Sequence, residues 1–422
     1  MRKALARKLP PLRFKRRRKQ QEPYGSAAAK GKNLQRCMQD FLDLNVLLVN
    51  INEKKIKVSS IEVEVMDLKS LFGRRQEAFL GMDISAWGIK VVGLSGSMEQ
   101  PVLEQLASIR LPSGHVVDGH IVKMRQVAEA LRSLLQENRI RAQKVALALP
   151  SSAVITKKIM VQADLSPDDM QAQVEEEARQ YIPFPLDEVS LDFCTVGPNP
   201  QRAEMVDVLI AAARRDRVQS LEELVELVEL EVSVVDVQSC ALRLATRRLV
   251  DLHLPAQKNA VVLLLKVGAG RTLMQVTVGE AIVYERDLAL GGDQLTQRIA
   301  AHYRLSDGEA ETKKISGALA QDFESSVLLP YVGATAKLLE RGIQFIFNST
   351  PYSKVSQIFL SGGGAMLPGL AAAMSRAMQS PCTLINPFEG MRLAPPVRNN
   401  PCLHNAPLFI GACGLALRRF SL

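Results

Sequence analysis

The sequence predicts an α/β protein made of two similar halves that close on a nucleotide. Three observations carry this. Short glycine-bearing loops occur at Gly81-Met82-Asp83-Ile84-Ser85, Val267-Gly268-Ala269-Gly270-Arg271-Thr272 and Ser361-Gly362-Gly363-Gly364. Each follows or closes an apolar run that reads as a buried strand. A start of three successive strands at 78–84, 88–94 and 103–111 recurs at 260–267, 273–278 and 280–288. With 422 residues, 47% of them hydrophobic, the chain is long enough for two domains of ordinary globular composition.

The formal charge of +9 points to nucleic acid only at first sight. Residues 1–65 hold 16 of the 53 basic residues and 6 of the 44 acidic ones, so the remainder is close to neutral. The basicity belongs to the N-terminal segment, and a nucleic-acid role for the body is excluded. The run Lys15-Arg16-Arg17-Arg18-Lys19 repels itself and builds no core. Residues 1–76 read as a basic extension, with Met66 as the natural start of the working protein. The six cysteines form no C-x-x-C pair and read as reduced. The five histidines are scattered without ligand spacing. No stretch approaches the ~20 apolar residues needed to cross a bilayer. Residues 41–51 are short and broken by Asp43 and Asn45. A cytoplasmic protein is expected, with any membrane association made through a partner.

The remaining elements follow in order. Residues 122–137 repeat apolar positions at helical spacing through Val127, Ala130, Leu131 and Leu134. Strands are expected at 144–149 and 153–161. Ser166-Pro167-Asp168-Asp169 opens a helix with a capping serine, proline at its first position and acids in its first turn. That helix runs towards Tyr181 and stops at Pro183-Phe184-Pro185. A strand at 206–213, a helix at 216–230 and a strand at 232–237 complete the first half. Leu254-Pro255-Ala256 opens the second, so the halves are 77–254 and 255–422.

Backbone N–H groups in tight turns can approach a triphosphate closely when side chains are small. In the first loop Asp83 is placed to hold Mg²⁺ through water. Ser85 is placed to meet a phosphate, and Lys90 to neutralise charge from the returning strand. An ordinary hairpin turn remains the alternative for this stretch. In the second loop Thr272 and the glycines fit a phosphate hairpin. Gly291-Gly292 opens a helix suited to an anion, and the third loop leaves room for adenine or ribose against backbone. Ala310-Glu311-Thr312-Lys313-Lys314 reads equally as a solvated helical face.

Four further stretches make a family resemblance specific: 145–152 (VALALPSS), 177–189 (EARQYIPFPLDEV), 291–296 (GGDQLT) and 411–418 (GACGLALR). With the loops, they make residues 79–420 similar to the PilM family of type IV pilus assembly, within the FtsA, actin and Hsp70 superfamily. The resemblance implies an actin-like ATPase fold: duplicated RNase H-like halves with a small inserted α+β subdomain at about 114–199. It implies a scaffold on the inner membrane that binds ATP with Mg²⁺ and holds the cytoplasmic N-terminal tail of PilN beside the insert. Carried over by position, Asp83, Ser85, Lys90, Gly268, Thr272, Gly292, Glu311, Lys314, Gly362 and Gly363 would line the cleft. Asp83 and Asp236 are the nominated catalytic acids. The alternatives are an actin-fold small-molecule kinase and an FtsA-like division protein. A kinase needs a substrate-facing acid, for which only Asp118 and Asp236 offer themselves. FtsA-like proteins usually end in a linker and an amphipathic helix, whereas this sequence closes on Arg418-Arg419-Phe420-Ser421-Leu422.

Two departures from the family pattern stand out. The second hairpin would begin Asp-Ile-Gly but here begins Lys266-Val267-Gly268, and Ala86-Trp87-Gly88 replaces small hydroxyl residues in the first. Phosphoryl transfer depends on positioning and charge neutralisation. A lysine in place of the metal-organising carboxylate predicts very slow or absent hydrolysis and weakened nucleotide binding.

Overall fold

Apolar runs of six to ten residues fix the strands, and their pairing reveals the duplication. A computed structural model describes residues 79–421 apart from 200, 258, 280, 350 and 351. The basic extension and Met66 lie outside the described residues. In chain order the first half holds β1 (Phe79–Ile84), β2 (Gly88–Gly96), β3 (Pro101–Arg110), β4 (Val116–Val117), β5 (His120–Ile121), α1 (Met124–Glu137) and β6 (Lys144–Leu149). Then come β7 (Val154–Gln162), α2 (Pro167–Ala178), β8 (Val189–Asn199), β9 (Arg202–Arg214), α3 (Arg215–Glu226), β10 (Glu231–Val237) and α4 (Gln238–His253). The second half holds β11 (Val261–Val267), β12 (Thr272–Val278), β13 (Ala281–Leu288), α5 (Gly292–Tyr303), α6 (Asp307–Ser316) and α7 (Leu329–Ser349). It closes with β14 (Gln357–Ser361), α8 (Leu370–Met378), β15 (Cys382–Leu384), β16 (Arg392–Leu393) and α9 (Ile410–Leu417).

The first sheet runs β3-β2-β1-β6-β10, with β16 added outside β3, and the second runs β13-β12-β11-β14-β15. The order is the same in both: an antiparallel meander followed by two strands parallel to its first member. The expected duplication is therefore present. Because β16 comes from the second half and pairs with β3, the chain also stitches one half to the edge of the other.

Helices α4 and α9 fill the space between the sheets. Their apolar faces join β2 and β3 of the first sheet to β11 and β14 of the second, through Val92, Leu103, Leu242, Ala245, Val262, Leu264, Phe359, Ile410 and Cys413. The two helices touch backbone to backbone. A Cβ on Gly414 would collide with the Ala241 carbonyl oxygen, so only glycine allows this approach. Each half also has an outer core of its own, built on α1 and α3 in the first and on α5, α7 and α8 in the second.

The inserted subdomain is the three-stranded sheet β7-β9-β8, covered by α2. The serine cap of α2 forms as expected, with the Asp169 N–H donating to Ser166 Oγ at 3.2 Å. The insert starts and ends later than the expected 114–199, because its strands run from Val154 to Arg214. The segment from β4 to α1 instead packs Val116, Ile121, Val127, Leu131 and Leu134 into the core of the first half. β8 was not foreseen. Its residues are mostly half-buried and carry Gly197-Pro198, so no continuous apolar run marks it.

Candidate functional site

Near the ends of the central strands β1 and β11, their next-to-last side chains, Asp83 and Lys266, meet across the halves. Asp83 Oδ2 lies 3.5 Å from Lys266 Nζ and 3.8 Å from Lys90 Nζ. Side-chain exposures of 7%, 5% and 16% for Asp83, Lys90 and Lys266 leave two of the three buried and Lys266 partly so. Lys90 reaches it because the β1–β2 register sets it directly opposite Asp83. Burial pushes the Asp83 carboxyl up, but Lys266 and Lys90 outweigh it and hold the group below the usual carboxylate range. Burial pulls the Lys90 ammonium below the usual lysine range, against the pull of Asp83. Lys90 Nζ also donates to Ser85 Oγ at 3.1 Å and sits 5.3 Å from the Trp87 ring centroid. Ser85 Oγ in turn donates to Gly88 O at 3.1 Å. The hydroxyl expected on a phosphate thus closes the first hairpin.

The second hairpin is held the same way. Thr272 Oγ1 donates to Leu290 O at 2.7 Å and is buried, so it too is structural and not a phosphate ligand. The Gly268 N–H donates to Arg271 O at 2.8 Å. The Ala269 and Gly270 amides at the tip make no hydrogen bond with the described residues. The first amides of α5 are occupied, which corrects the expectation of an open helix N-terminus at Gly291-Gly292. Gly292 N–H donates to Gly268 O, and Asp293 N–H to Ala269 O, both at 2.9 Å. Helix α5 therefore braces the hairpin.

Lys314 on α6 completes this brace, donating to Gly292 O at 3.1 Å, Thr296 Oγ1 at 2.6 Å and Glu311 Oε2 at 2.5 Å. Burial raises the Glu311 carboxyl, but its bonds to Lys314 and Thr296 overcome this and leave it lowered. Gly362 has φ 87° and lies so close to Val267 O that a Cβ would collide with it, which brings the third loop, with Gly363 beside it, against the second hairpin. Gly268, Gly292, Glu311, Lys314, Gly362 and Gly363 thus converge as one region, and Lys266 connects it to Asp83, Ser85 and Lys90.

Asp236 does not join them. It is sealed in a bidentate pair with Arg418, Nε to Oδ2 at 2.5 Å and Nη2 to Oδ1 at 3.0 Å, and the Val237 N–H donates to Oδ1 at 2.7 Å. Burial pushes its carboxyl up, and the guanidinium only partly offsets this. With every carboxylate oxygen engaged and no solvent access, Asp236 cannot orient a water, so the catalytic expectation for it is corrected. Asp118, the other acid a kinase would need, is exposed and paired with Arg271 at 3.2 Å.

The donors that remain (two lysines and the tip amides of the second hairpin) fit the phosphates of a nucleotide. They do not fit a hydrated magnesium ion. Mg²⁺ takes an octahedron of oxygens anchored by carboxylate, but Asp83 is shared by two ammonium groups and Glu311 is bonded to Lys314 and Thr296, so neither is free to anchor one. No group of three or more His, Cys, Asp or Glu side chains suited to a metal occurs among the described residues. The expectation that Asp83 holds Mg²⁺ through water therefore meets a cation already in place.

A second site lies between the first half and the insert. A cavity of about 300 Å³ is floored by Leu149, Ile155, Ile182, Phe184, Val189 and Leu221 and rimmed by Asp118, Arg214 and Arg217. Phe184 is exposed and stacks 5.6 Å beneath the Arg214 guanidinium. The resemblance implied a groove beside the insert but not its lining, because the walls come from β5, β6, β7, β8, β9 and α3. The sequence motifs include Thr296, Gly364 and Gly411 without assigning them these contacts. A Cβ on Gly411 would lie 3.0 Å from Asp83 Oδ2. Arg418 left no distinct trace: it and Arg419 both follow the apolar helix α9, and nothing local tells which of the two is buried.

Two sheets of identical order around two central helices, with a cleft where the paired strands end, define an actin-like ATPase fold. The family model for type IV pilus assembly protein PilM matches residues 81–420. The chain belongs to that family. A chain of a solved PilM-PilN type IV pilus biogenesis complex is 30% identical, with 81% of this chain and 98% of that one covered and a TM-score of 0.67. More distant similarities are to the ethanolamine utilization protein EutJ from Carboxydothermus hydrogenoformans and to MreB5 of Spiroplasma citri bound to ADP. EutJ is 15% identical over 80% of this chain and 88% of that one, at a TM-score of 0.47. MreB5 is 12% identical over 80% and 95%, at 0.41.

Proposed function

We propose that the chain is a cytoplasmic nucleotide-binding scaffold of the type IV pilus inner-membrane assembly complex, and that its partner is the cytoplasmic N-terminal tail of PilN. The observation that carries this is a convergence. Two of the four stretches that make the family resemblance specific, 145–152 and 177–189, supply Leu149, Pro150, Ser152, Ile182, Phe184 and Val189 to the same groove. An apolar floor with a guanidinium rim suits an extended peptide that buries alternate side chains. Membership of the PilM family and the similarity to a chain solved as a PilM-PilN complex support the choice of partner.

In this reading the cleft tunes the scaffold and turns nucleotide over slowly or not at all, since Lys266 occupies the place of the metal-organising carboxylate. Association with the membrane then comes through the partner. No helix among the described residues is long and apolar enough to cross a membrane.

The test is calorimetric titration of the full chain with a synthetic PilN N-terminal peptide, with and without ATP. Saturable binding to wild type is expected, with a loss of about tenfold or more in Phe184→Ala, as for an aromatic anchor in a pocket. Absence of wild-type binding in both conditions would overturn the reading.

A further inference from the structure

We propose that Lys266 takes the place of the divalent cation, so that the cleft binds the phosphates of a nucleotide without Mg²⁺. This rests on the nucleotide-binding reading and specifies its cofactor requirement. Lys90 and Lys266 both approach Asp83 Oδ2, at 3.8 and 3.5 Å, and no other acidic side chain contacts the triad among the described residues. One carboxylate neutralises one ammonium. The cluster sets two amines against one carboxylate, and surplus positive charge in so poorly solvated a place is costly. A phosphate anion relieves it.

A divalent cation does the opposite. At Asp83 it would meet two ammonium groups within a few ångströms, in a setting where charges are poorly screened. Lys266 also stands three residues before Ala269 at the hairpin tip, where the Ala269 and Gly270 amides are unpartnered among the described residues. One loop thus brings both a point charge and backbone donors to an anion, the pairing by which lysines and tight turns hold phosphate elsewhere. Lys90 is poorly placed to act alone, because its ammonium is committed to Ser85 Oγ and faces Trp87.

The experiment is equilibrium titration of the full chain with ATP by calorimetry, once in excess EDTA and once in excess Mg²⁺. For wild type the two dissociation constants should agree within about threefold, or about 0.65 kcal/mol. Lys266→Asp should reverse the pattern, losing about tenfold or more in EDTA and recovering in Mg²⁺. Lys266→Gln adds no second carboxylate beside Asp83, guards against misfolding, and should lose affinity in both conditions. Urea unfolding of each variant establishes that it is folded. Wild-type binding that appears only with Mg²⁺ would overturn this proposal and leave nucleotide binding intact. No binding in either condition would overturn both.

Discussion

The two hairpins occupy the same place in the two halves, yet one ends its central strand in an acid and the other in a base. Asp83 stands two residues before the turn of β1–β2, and Lys266 two before the turn of β11–β12. Duplication brings these equivalent positions together, and opposite charges let them pair at 3.5 Å. Both hydroxyls are spent inside the protein: Ser85 Oγ bonds within its own turn, and Thr272 Oγ1 ties the second hairpin to Leu290 O. Hydroxyls at phosphate-loop positions can thus be structural fasteners, while ligand donors are left to backbone and ammonium groups.

The sharpest way to break this comparison is to remove the acid alone. In Asp83→Ala two largely buried ammonium groups lose their common counter-charge, an arrangement that costs about 3–5 kcal/mol. Lys266→Met leaves Asp83 its pair with Lys90 and removes the surplus charge, so its stability should stay within about 1 kcal/mol of wild type. Urea unfolding midpoints with slopes measure both. Equal losses in the two variants would mean that the triad is not organised around the carboxylate.

Acid titration probes the same pair. Asp83 is held below the usual carboxylate range in the folded state. A depressed folded value means that the stabilisation is fully present above the unfolded carboxylate value, about pH 4, and is lost as pH falls through the folded one. Wild type should lose stability more steeply than Asp83→Asn below about pH 4. Parallel curves would remove Asp83 from the acid response.

Much of this architecture was legible in the sequence. The three-strand start repeats with buried apolar runs, and β1, β2, β6, β11 and β14 form near the expected positions because each is a continuous run ended by glycine, serine or proline. β8 was not legible, since a half-buried strand paired only with β9 has no such run. The insert was misplaced for the same reason. At the cleft, the residue types were readable but their bonds were not. Nothing local tells whether Thr272 turns to a ligand or to Leu290 O, eighteen residues on. Asp236 was similarly ambiguous until Arg418, 182 residues away, was seen to seal it.

Thr272→Val separates these possibilities at a smaller scale. The substitution keeps the shape and deletes the donor, leaving the Leu290 carbonyl unpaired in a buried setting at a cost of about 1–3 kcal/mol. ATP affinity of the folded variant should equal that of wild type, since the hydroxyl faces the protein. A loss of affinity without a loss of stability would return Thr272 to the phosphate site.

The smallest effect is expected at an exposed ion pair between the halves. Arg271, beside the tip of the second hairpin, pairs with Asp118 in the β4–β5 turn at 3.2 Å, but the two side chains are 60% and 69% exposed. An ion pair so open to water contributes between nothing and about 1 kcal/mol. Arg271→Ala should therefore shift the urea midpoint barely at all, and any shift should vanish at about 1 M salt, where screening acts within about 3 Å. The Asp83→Ala loss should persist at that salt, because its partners are buried. If salt removed both effects, the halves would be joined by surface charge. If it removes only the first, the buried acid that duplication set against a lysine holds independently of surface charge.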